Sequence, residues 1–470
     1  MNDNNVKNAF KAGIWYTVST LLIKSISIIS TPLYTRLMST SDYGISATFN
    51  TWYALLSIIC SLNVGYSIGR AKVDFGEKFE KYIGALQVIC ATVTIVLFGL
   101  FFIVLEPFQS IIGLNRKSVF WLFLYVLFGT IVSINQGKYR FRYQYKQNIF
   151  ISFFISIATI VFSLLFIMML PEKYMGKIIG TALPIVILGI YFWGNSIKNK
   201  NITLKREFFS YALVFSIPLI IHSLSIYVLG QSDRLMIKYF CGNDFVGIYS
   251  LVHQYAILIT LVTNSINQAW NPWFHDNYAL GNCALIREKV TPLILLGCYI
   301  GVGCVGIAPE AIRILGGENY LDGLGAVVPI TLGVIIEFVY TQYIIIEMHL
   351  KKTKYVSLGT GIAAVINLAL NYICIPKFGY IAAAYTTLVS YLVLLIIHHV
   401  ITRMVLHIHL YQDKKMYVMI ITTMCVCFGL SMIYDYAIYR YLILVIMTFA
   451  FALYNKEFIL NKIKGRKITC

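Results

Sequence analysis

The feature of this sequence that most restricts its fold is a series of fourteen apolar segments separated by short polar loops. Hydrophobic residues make up 59% of the 470-residue chain and charged residues only 12%, against about 25% charged residues in soluble domains. A helix needs about 20 mostly apolar residues to cross the hydrocarbon core of a bilayer. The composition therefore excludes a large soluble core and predicts an all-α polytopic membrane protein with about 14 transmembrane helices.

Each apolar segment predicts one membrane span, and the connectors between spans contain no segment of domain size. The predicted spans are Ala12–Tyr34, Ala47–Gly69, Ile83–Leu105, Val119–Asn135, Ile149–Leu170, Ile178–Trp193, Phe208–Leu229, Val246–Trp273, Val290–Ala308, Gly325–Glu347, Val356–Ile375, Ile381–Ile401, Met416–Ile433 and Ala437–Tyr454.

Lys and Arg are concentrated in every second loop. The N-terminus, the even-numbered loops and the C-terminal tail together contain 27 of the 38 Lys and Arg residues, whereas the odd-numbered loops contain 10. An excess of Lys and Arg marks the cytoplasmic loops of membrane proteins. The pattern predicts that both termini are cytoplasmic, and it accounts for the net charge of +18 without nucleic acid as a partner.

A short motif occurs twice, about 200 residues apart. Arg36-Leu37-Met38 precedes Asp42-Tyr43-Gly44, and Arg234-Leu235-Met236 precedes Asp244-Phe245-Val246-Gly247. Each copy lies on the predicted outer side, between the first and second helix of a six-helix set. Repeats of this kind bind substrate between their halves in transporters.

The repeat predicts two related six-helix lobes around a central cavity, with two additional helices after them. The predicted domains are an N-terminal lobe in residues 1–200, a C-terminal lobe in residues 201–402, and the extra helix pair with a basic cytoplasmic tail in residues 403–470.

Three segments of the chain resemble the Wzx-type oligosaccharide flippases, polysaccharide transporters of the multidrug/oligosaccharidyl-lipid/polysaccharide exporter superfamily. The segments are Tyr34–Gly44, Gln231–Met236 with the following Gly247–Ser250, and Gln268–Phe274. The resemblance implies a non-enzymatic carrier in the bacterial cytoplasmic membrane. Its cargo would be undecaprenyl-pyrophosphate-linked oligosaccharide repeat units, moved from the inner to the outer leaflet by alternating access for O-antigen, capsule or exopolysaccharide assembly.

This hypothesis also defines the expected cofactors and partners. We expect no metal and no cofactor, with coupling to a proton or a sodium gradient as the source of energy. The expected partners are the lipid-linked glycan, membrane lipids, and a polymerase with other assembly proteins.

Lys24 is the one Lys or Arg deep within a predicted span. A charge at the bilayer centre costs about 2.5–3.5 kcal/mol on insertion scales, so such a residue generally faces a cavity or a partner. Thr20 and Ser27 share its helix face, which favours a substrate cavity for an anionic group. A structural ion pair with Glu337, or extension of the side chain to the interface, is the alternative.

Glu337 lies near the middle of the tenth predicted span. Carboxylates within the membrane commonly carry protons or ions, so Glu337 is a candidate for ion coupling. A pair with Lys24 between the lobes and a packed, protonated carboxyl group are the alternatives.

Other polar residues within the spans are candidates for the cavity lining. Asn264, Asn267 and Asn271 lie at the spacing of one helix face in the eighth span, and amide groups suit sugar hydroxyls. Helix–helix hydrogen bonding explains the same stripe. His222 is either a titrating group or a histidine satisfied within the core.

Charged residues at the predicted loop ends form two further groups. Arg36, Asp42, Asp233 and Arg234 at the outer ends predict a gate of salt bridges or, alternatively, helix-end charges. Arg140 and Arg142 alternate with aromatic residues in a cytoplasmic loop, and they could contact a lipid phosphate or serve as general interface anchors.

Other functions fit the sequence less well. A membrane glycosyltransferase or polymerase generally has large extracytoplasmic loops, which this chain lacks, and no nucleotide-binding motif is present. A drug/cation antiporter of the same superfamily and a lipid II flippase are closer alternatives. The extra helix pair and Lys24 argue against the antiporter, and the lack of several intramembrane arginines argues against the lipid II flippase.

Overall fold

The computed structural model of the protein describes residues 3–103 and 112–454. The regular structure in those residues is helical, with no strand. The α-helices are α1 (Asp3–Leu37), α2 (Thr40–Ser61), α3 (Ile68–Phe75), α4 (Phe79–Ile103), α5 (Arg116–Phe141), α6 (Tyr145–Met169), α7 (Lys173–Lys198), α8 (Arg206–Phe240), α9 (Asn243–Ala279), α10 (Cys283–Gly306), α11 (Ala308–Gly316), α12 (Leu324–His349), α13 (Thr353–Phe378), α14 (Ala382–Val400), α15 (Asp413–Ser431) and α16 (Ala437–Tyr454).

The long helices coincide with the predicted spans, because each predicted span overlaps one helix of at least 18 residues. Among the described residues, ten segments are long and apolar enough to cross a membrane, and α8, which bends by 50° between Val214 and Leu219, is an eleventh. The all-helical multi-pass architecture is thus confirmed. The exact number of fourteen crossings and the cytoplasmic location of the termini stay predictions.

The end of α2 differs from the predicted span Ala47–Gly69. The helix ends at Ser61, and the next two residues, Leu62 and Asn63, have positive φ angles of 48° and 54°. Because left-handed backbone ends a helix, the chain then turns through a short 3₁₀ helix, Val64–Ser67, into α3. This turn forms one wall of the cavity described below.

The chain forms two compact units. Unit 1 comprises Met1–Leu251, Leu315–Asn319 and Ser357–Thr386, and unit 2 comprises the rest. The predicted lobes of residues 1–200 and 201–402 stay a prediction.

Unit 1 is held together by close helix packing around an aromatic and aliphatic core. In α7, a Cβ added to Gly180 would lie 2.3 Å from the backbone of Ser163 in α6, and one added to Gly176 would lie 2.5 Å from the Phe166 carbonyl carbon. Small residues at this spacing let membrane helices approach closely. The core beside this pair includes Phe49, buried on α2.

Unit 2 is centred on α12, which has the largest buried share of the candidate spans in the described residues. Gly297 and Gly301 of α10 pack against Phe338 and Ile335 of α12. At the far end of α10, the guanidinium of Arg440 in α16 donates hydrogen bonds to both carboxylate oxygens of Glu310, at 2.6 and 3.0 Å. This bidentate pair joins the last helix to the short helix α11.

Candidate functional site

The two copies of the repeated motif meet at the N-terminal ends of α2 and α9, within unit 1. A Cβ added to Gly44 would lie 1.9 Å from the carbonyl oxygen of Asn243, and one added to Gly247 would lie 2.1 Å from that of Thr40. The contact is reciprocal, because each glycine touches the residue four positions before the other glycine. The hydroxyl of Thr40 also donates to Asp244 at 2.5 Å. We call this contact the glycine clasp.

Asp42 and Arg36 lie beside the clasp. Asp42 forms a capping box with Ser39: the Ser39 hydroxyl donates to the Asp42 carboxylate at 2.7 Å and accepts from the Asp42 backbone N–H at 3.1 Å. Arg36 is exposed at the last turn of α1. Asp42 therefore has a structural task at the start of α2, and the gate role of both residues stays a prediction.

Asp233 and Arg234 form a buried cluster on α8. Their side chains are 4% and 8% exposed, and Arg234 Nη1 lies 3.5 Å from Asp233 Oδ1. Arg234 also donates to the Gln231 side chain at 3.0 Å, and the hydroxyl of Tyr249 donates to Asp233. The hydrogen bond from Tyr249 joins this cluster on α8 to α9.

Lys177 is a further basic residue near the clasp, and the sequence pattern did not predict it. Its ammonium group lies 3.9 Å from the ring centroid of Tyr43 and 4.5 Å from that of Tyr34. A cation over aromatic faces is attracted by the ring quadrupole. Since Tyr43 precedes Gly44, this contact fixes the residue next to the clasp.

At the other end of α2, unit 1 contains a cavity of about 570 Å³. Its walls come from the end of α2, the turn after it, and the last turns of α5. Several of the lining residues have polar side chains, including Tyr53, Ser57, Ser61, Asn63, Thr130, Ser133, Gln136 and Arg140. The turn is held against α8 by Asn63, whose side-chain amide donates to the Ser223 hydroxyl at 2.9 Å.

The structure separates the two arginines that the sequence grouped together. Arg140 lines the cavity and forms no ion pair within the described residues. Arg142 does not line it; its guanidinium lies 2.7 Å from the Glu80 carboxylate and over the ring of Phe79. Of these two arginines, Arg140 is thus the one that lines the cavity without an ion-pair partner in the described residues.

Lys24 lies half-buried on α1 in unit 1. Thr20 and Ser27, one turn away on either side, are exposed, and the hydroxyl of Thr31 donates to the Ser27 carbonyl at 3.0 Å. The role of this helix face in a substrate cavity stays a prediction. Glu337 lies in unit 2, and its pairing with Lys24 stays a prediction.

The predicted polar stripe on α9 has one member in a defined hydrogen bond. Asn267 accepts from the Gln342 side chain of α12 at 3.1 Å, within unit 2. Asn264 is exposed and Asn271 half-buried. His222 is half-buried on α8, and its Nδ1 is buried without a hydrogen-bond partner in the described residues. Their role in a substrate cavity stays a prediction.

The sequence of this chain matches the model of one protein family, described as polysaccharide biosynthesis protein, over residues 9–277. The chain belongs to the polysaccharide biosynthesis protein family. This confirms the family predicted from the repeated motifs. The matched segment contains the glycine clasp, the cavity and Arg140.

Two relatives illustrate the divergence of the family. The Lsg locus putative protein 1 of Haemophilus influenzae is 22% identical over 279 residues, 57% of this chain and 66% of the relative's length. An uncharacterized membrane protein of Methanocaldococcus jannaschii is 21% identical over 433 residues, covering 83% of this chain and 82% of that protein. Because the first match spans just under two thirds of the relative, it carries no activity over to this chain.

Solved structures share the fold. The lipid II flippase MurJ in an inward closed conformation matches 95% of this chain and 100% of its own, with a TM-score of 0.75 and 12% identity. An inward-facing multidrug resistance transporter of the MATE family, from the MOP superfamily, matches 83% of this chain and 97% of its own, with a TM-score of 0.63 and 14% identity. This family member therefore has the fold of MOP-superfamily transporters.

Sequence reasoning missed three polar features of this family member. Besides Lys177, they are a hydrogen-bonded set on α13 and α14, formed by Asn367, Asn371 and Thr386, and a pair between Glu347 and His398. A signal existed, because each is polar within or at the end of an apolar segment. Glu347 and His398 fall at span ends, where a polar residue is ordinarily exposed to the interface.

Proposed function

We propose that this protein is a flippase for undecaprenyl-pyrophosphate-linked oligosaccharide repeat units in the bacterial cytoplasmic membrane. It would move them to the outer leaflet for O-antigen, capsule or exopolysaccharide assembly. The observation that carries the proposal is the polar cavity with Arg140, in a member of the polysaccharide biosynthesis protein family.

The lining of the cavity suits both parts of such a cargo. A guanidinium binds phosphate oxygens through paired N–H groups, with more geometric specificity than an ammonium. Arg140 has no carboxylate partner in the described residues, so an arriving pyrophosphate does not have to displace one. The hydroxyl and amide groups of Ser57, Ser133 and Gln136 supply neutral donors and acceptors for sugar hydroxyls.

The positions of cavity and clasp support alternating access. Both involve α2, the clasp at its first turn and the cavity at its last. A helix of 22 residues is about 33 Å long at 1.5 Å per residue, close to the thickness of the hydrocarbon core. A clasp closed at one end of α2 and a polar cavity at the other end fit a carrier accessible from one side. The charge pattern predicts that this side is the cytoplasm.

The test is a flipping assay in proteoliposomes with a fluorescent undecaprenyl-pyrophosphate-linked oligosaccharide, in which a lectin outside the vesicle captures the translocated molecules. Arg140→Gln should lower the initial rate by at least tenfold, because one good charge-assisted contact contributes about 1.5–3 kcal/mol. Arg142→Gln is the matched control: it removes the same charge two residues away, outside the cavity. Equal rates for the two variants would overturn the role of Arg140.

The lipid II flippase is the second candidate, because its fold matches over nearly the whole chain. The same proteoliposomes can therefore be offered lipid II. Preference for the oligosaccharide repeat unit supports the proposal, and equal or faster movement of lipid II contradicts it. A cationic drug that is exported faster than either lipid would instead identify an antiporter.

A further inference from the structure

Unit 2 contains a fully buried acid–base pair that joins the C-terminal ends of α12 and α14. His398 Nδ1 lies 2.8 Å from Glu347 Oε1, and both side chains are 0% exposed. Their other polar atoms, Glu347 Oε2 and His398 Nε2, are buried without a hydrogen-bond partner in the described residues. A buried pair that satisfies only half of its own hydrogen-bonding capacity is costly, which suggests a function.

We propose that Glu347 and His398 form the proton-binding site through which transport is coupled to a proton gradient. This inference rests on the proposed function, in that it supplies the coupling ion for the same carrier. Imidazole and carboxylate groups bind either transition metals or protons. A metal site needs three or more such ligands, and the described residues contain no group of that size. The ligand that fits this two-residue pair is therefore a proton.

The charge of the pair explains how burial controls protonation. With one shared proton, the pair is neutral as a whole, whether imidazolium with carboxylate or imidazole with carboxylic acid. A second proton converts it to imidazolium with carboxylic acid, and the pair then carries one positive charge. Because burial of a net charge is costly, a second proton would favour an arrangement that admits water to the pair.

The surroundings of the pair connect it to Glu337. The ring of Tyr340 stacks on His398, with centroids 6.0 Å apart and an interplanar angle of 23°. Glu337 lies three residues before Tyr340 on α12, a spacing that places both residues on the same helix face. The groups Glu337, Tyr340, His398 and Glu347 therefore follow one another within unit 2. Tyr391 of α14 flanks Tyr340 on another side, with centroids 6.0 Å apart.

A second set of ionic groups surrounds His399, the residue that follows His398 in the chain. His399 Nε2 lies 3.1 Å from Asp413 Oδ2, and Asp413 also pairs with Arg403 and accepts from Tyr343 at 2.8 Å. His399 is 25% exposed, so the residue next to the buried pair lies partly at the surface of the protein. The helix after His398 changes to a π-helical turn, Ile401–Val405, a feature that is frequent at functional sites.

The remaining titratable groups packed against these elements are occupied with each other or with backbone groups. On α9 and α12, His275 and His349 lie 2.8 Å apart through their Nδ1 atoms. Arg287 of α10 donates to the backbone carbonyls of His409 and Leu410, at 2.8 and 2.9 Å. They hold the same end of unit 2 together without an ion pair to Glu347 or His398 among the described residues.

The first experiment needs no cargo. Spin labels at the exposed Met348 and Met404 report the separation of the ends of α12 and α14, measured by electron paramagnetic resonance from pH 5 to pH 9. If opening takes up one proton, the open-to-closed ratio changes by up to tenfold per pH unit. Glu347→Gln and His398→Gln should reduce that change to less than twofold. The double variant has an amide pair that can hydrogen-bond but not titrate, and it should show the same reduced pH response. It replaces a single variant that fails to fold.

Two control variants and a transport measurement make the result decisive. Glu288→Gln and His407→Gln remove an exposed carboxylate and an exposed imidazole, and they should keep the wild-type pH response. In the flipping assay, a pH gradient should accelerate wild type at least fivefold and leave Glu347→Gln at its rate without a gradient. A wild-type response that survives in the double variant overturns the proton site.

The outcomes separate this inference from the proposed function. If the lipid-linked cargo is flipped at the same rate with and without a pH gradient, the proposed function stands and the proton site fails. If no lipid-linked cargo moves but the pH response is lost in Glu347→Gln and His398→Gln, the proton site stands and the proposed cargo fails.

Discussion

The glycine clasp allows a quantitative test by the smallest possible substitution. In Gly44→Ala, the new Cβ would lie 1.9 Å from the Asn243 carbonyl oxygen, whereas ordinary contact begins at 3.4 Å, so the starts of α2 and α9 must separate by about 1.5 Å. The atoms in the way belong to the backbone and cannot rotate aside. Overpacking of this kind costs about 1–3 kcal/mol, which corresponds to a shift of about 5- to 150-fold in the closed-to-open equilibrium.

Intrinsic helix propensity acts in the opposite direction. Alanine is favoured over glycine within a helix by about 1 kcal/mol, so Gly44→Ala would stabilise the protein if the helices did not touch there. Gly99→Ala is the matched control, because Gly99 lies within α4 and its added Cβ would meet nothing within 4 Å. We expect Gly99→Ala to leave the equilibrium unchanged or to stabilise the fold slightly.

The assay uses spin labels at Leu33 and Tyr239, two exposed positions near the ends of α1 and α8, the helices that lead into α2 and α9. Wild type should give a short-distance population, and Gly44→Ala should increase the long-distance population at least fivefold. Gly247→Ala should do the same. The double variant should not double the effect, since one separation relieves both contacts. A distance distribution for Gly44→Ala identical to that of Gly99→Ala would refute the clasp as a closing contact.

The other predictions concern ion pairs and caps. Arg440→Gln should lower the free energy of unfolding by about 2 kcal/mol, since a charge-assisted bidentate pair is lost. Lys289→Gln, at an exposed pair, should change it by less than about 0.5 kcal/mol. Denaturation in detergent measures both values. Hydrogen bonds from the Arg440 guanidinium lower the pKa of Glu310 below its ordinary 4.5. The pair therefore stabilises the protein above pH 4.5, and its contribution disappears as the pH falls through the lowered pKa. The melting temperatures of wild type and Glu310→Gln should converge between pH 5 and pH 3, and a constant difference would contradict this. Asp233→Ala should cost about 3 kcal/mol because Arg234 loses its buried partner, and Asp42→Ala about 1 kcal/mol because only a cap is lost; a larger loss for Asp42→Ala would contradict the assignment.

Apolar periodicity was sufficient to predict where the long helices lie, because a helix that faces lipid must be apolar over its whole length. It could not locate the end of α2, since Leu62 and Asn63 end that helix by a left-handed turn while apolar residues recur as far as Ile68. Nor could it give the short helices α3 and α11, which are too short to leave a span-length pattern.

The sequence could indicate which residue types are candidates for the site, but it could not indicate which residues they contact. Composition identified Arg140 and Arg142 as one basic pair, and only the fold separates them, because Glu80 reaches Arg142 and not the cavity. The same limit explains why Glu347 was overlooked. A carboxylate at a span end is expected to face the interface, and it is the return of α14 to the same place that buries it against His398.

The repeated motif is where sequence and structure explain each other most fully. A shared tripeptide and a shared Asp-aromatic-Gly pattern are weak evidence for a duplication when taken alone. In the fold, each glycine packs on the carbonyl group four residues before its counterpart, the arrangement that a two-fold relation between the copies requires. The surrounding charges do not follow that symmetry: Asp42 accepts from Ser39 in the capping box of its own helix, whereas its counterpart Asp244 accepts from Thr40 of the other copy. Likewise, Arg36 is exposed, whereas its counterpart Arg234 is buried against Asp233. We therefore attribute the closing contact to the glycines that the copies share, and its stability to the charged residues in which they differ.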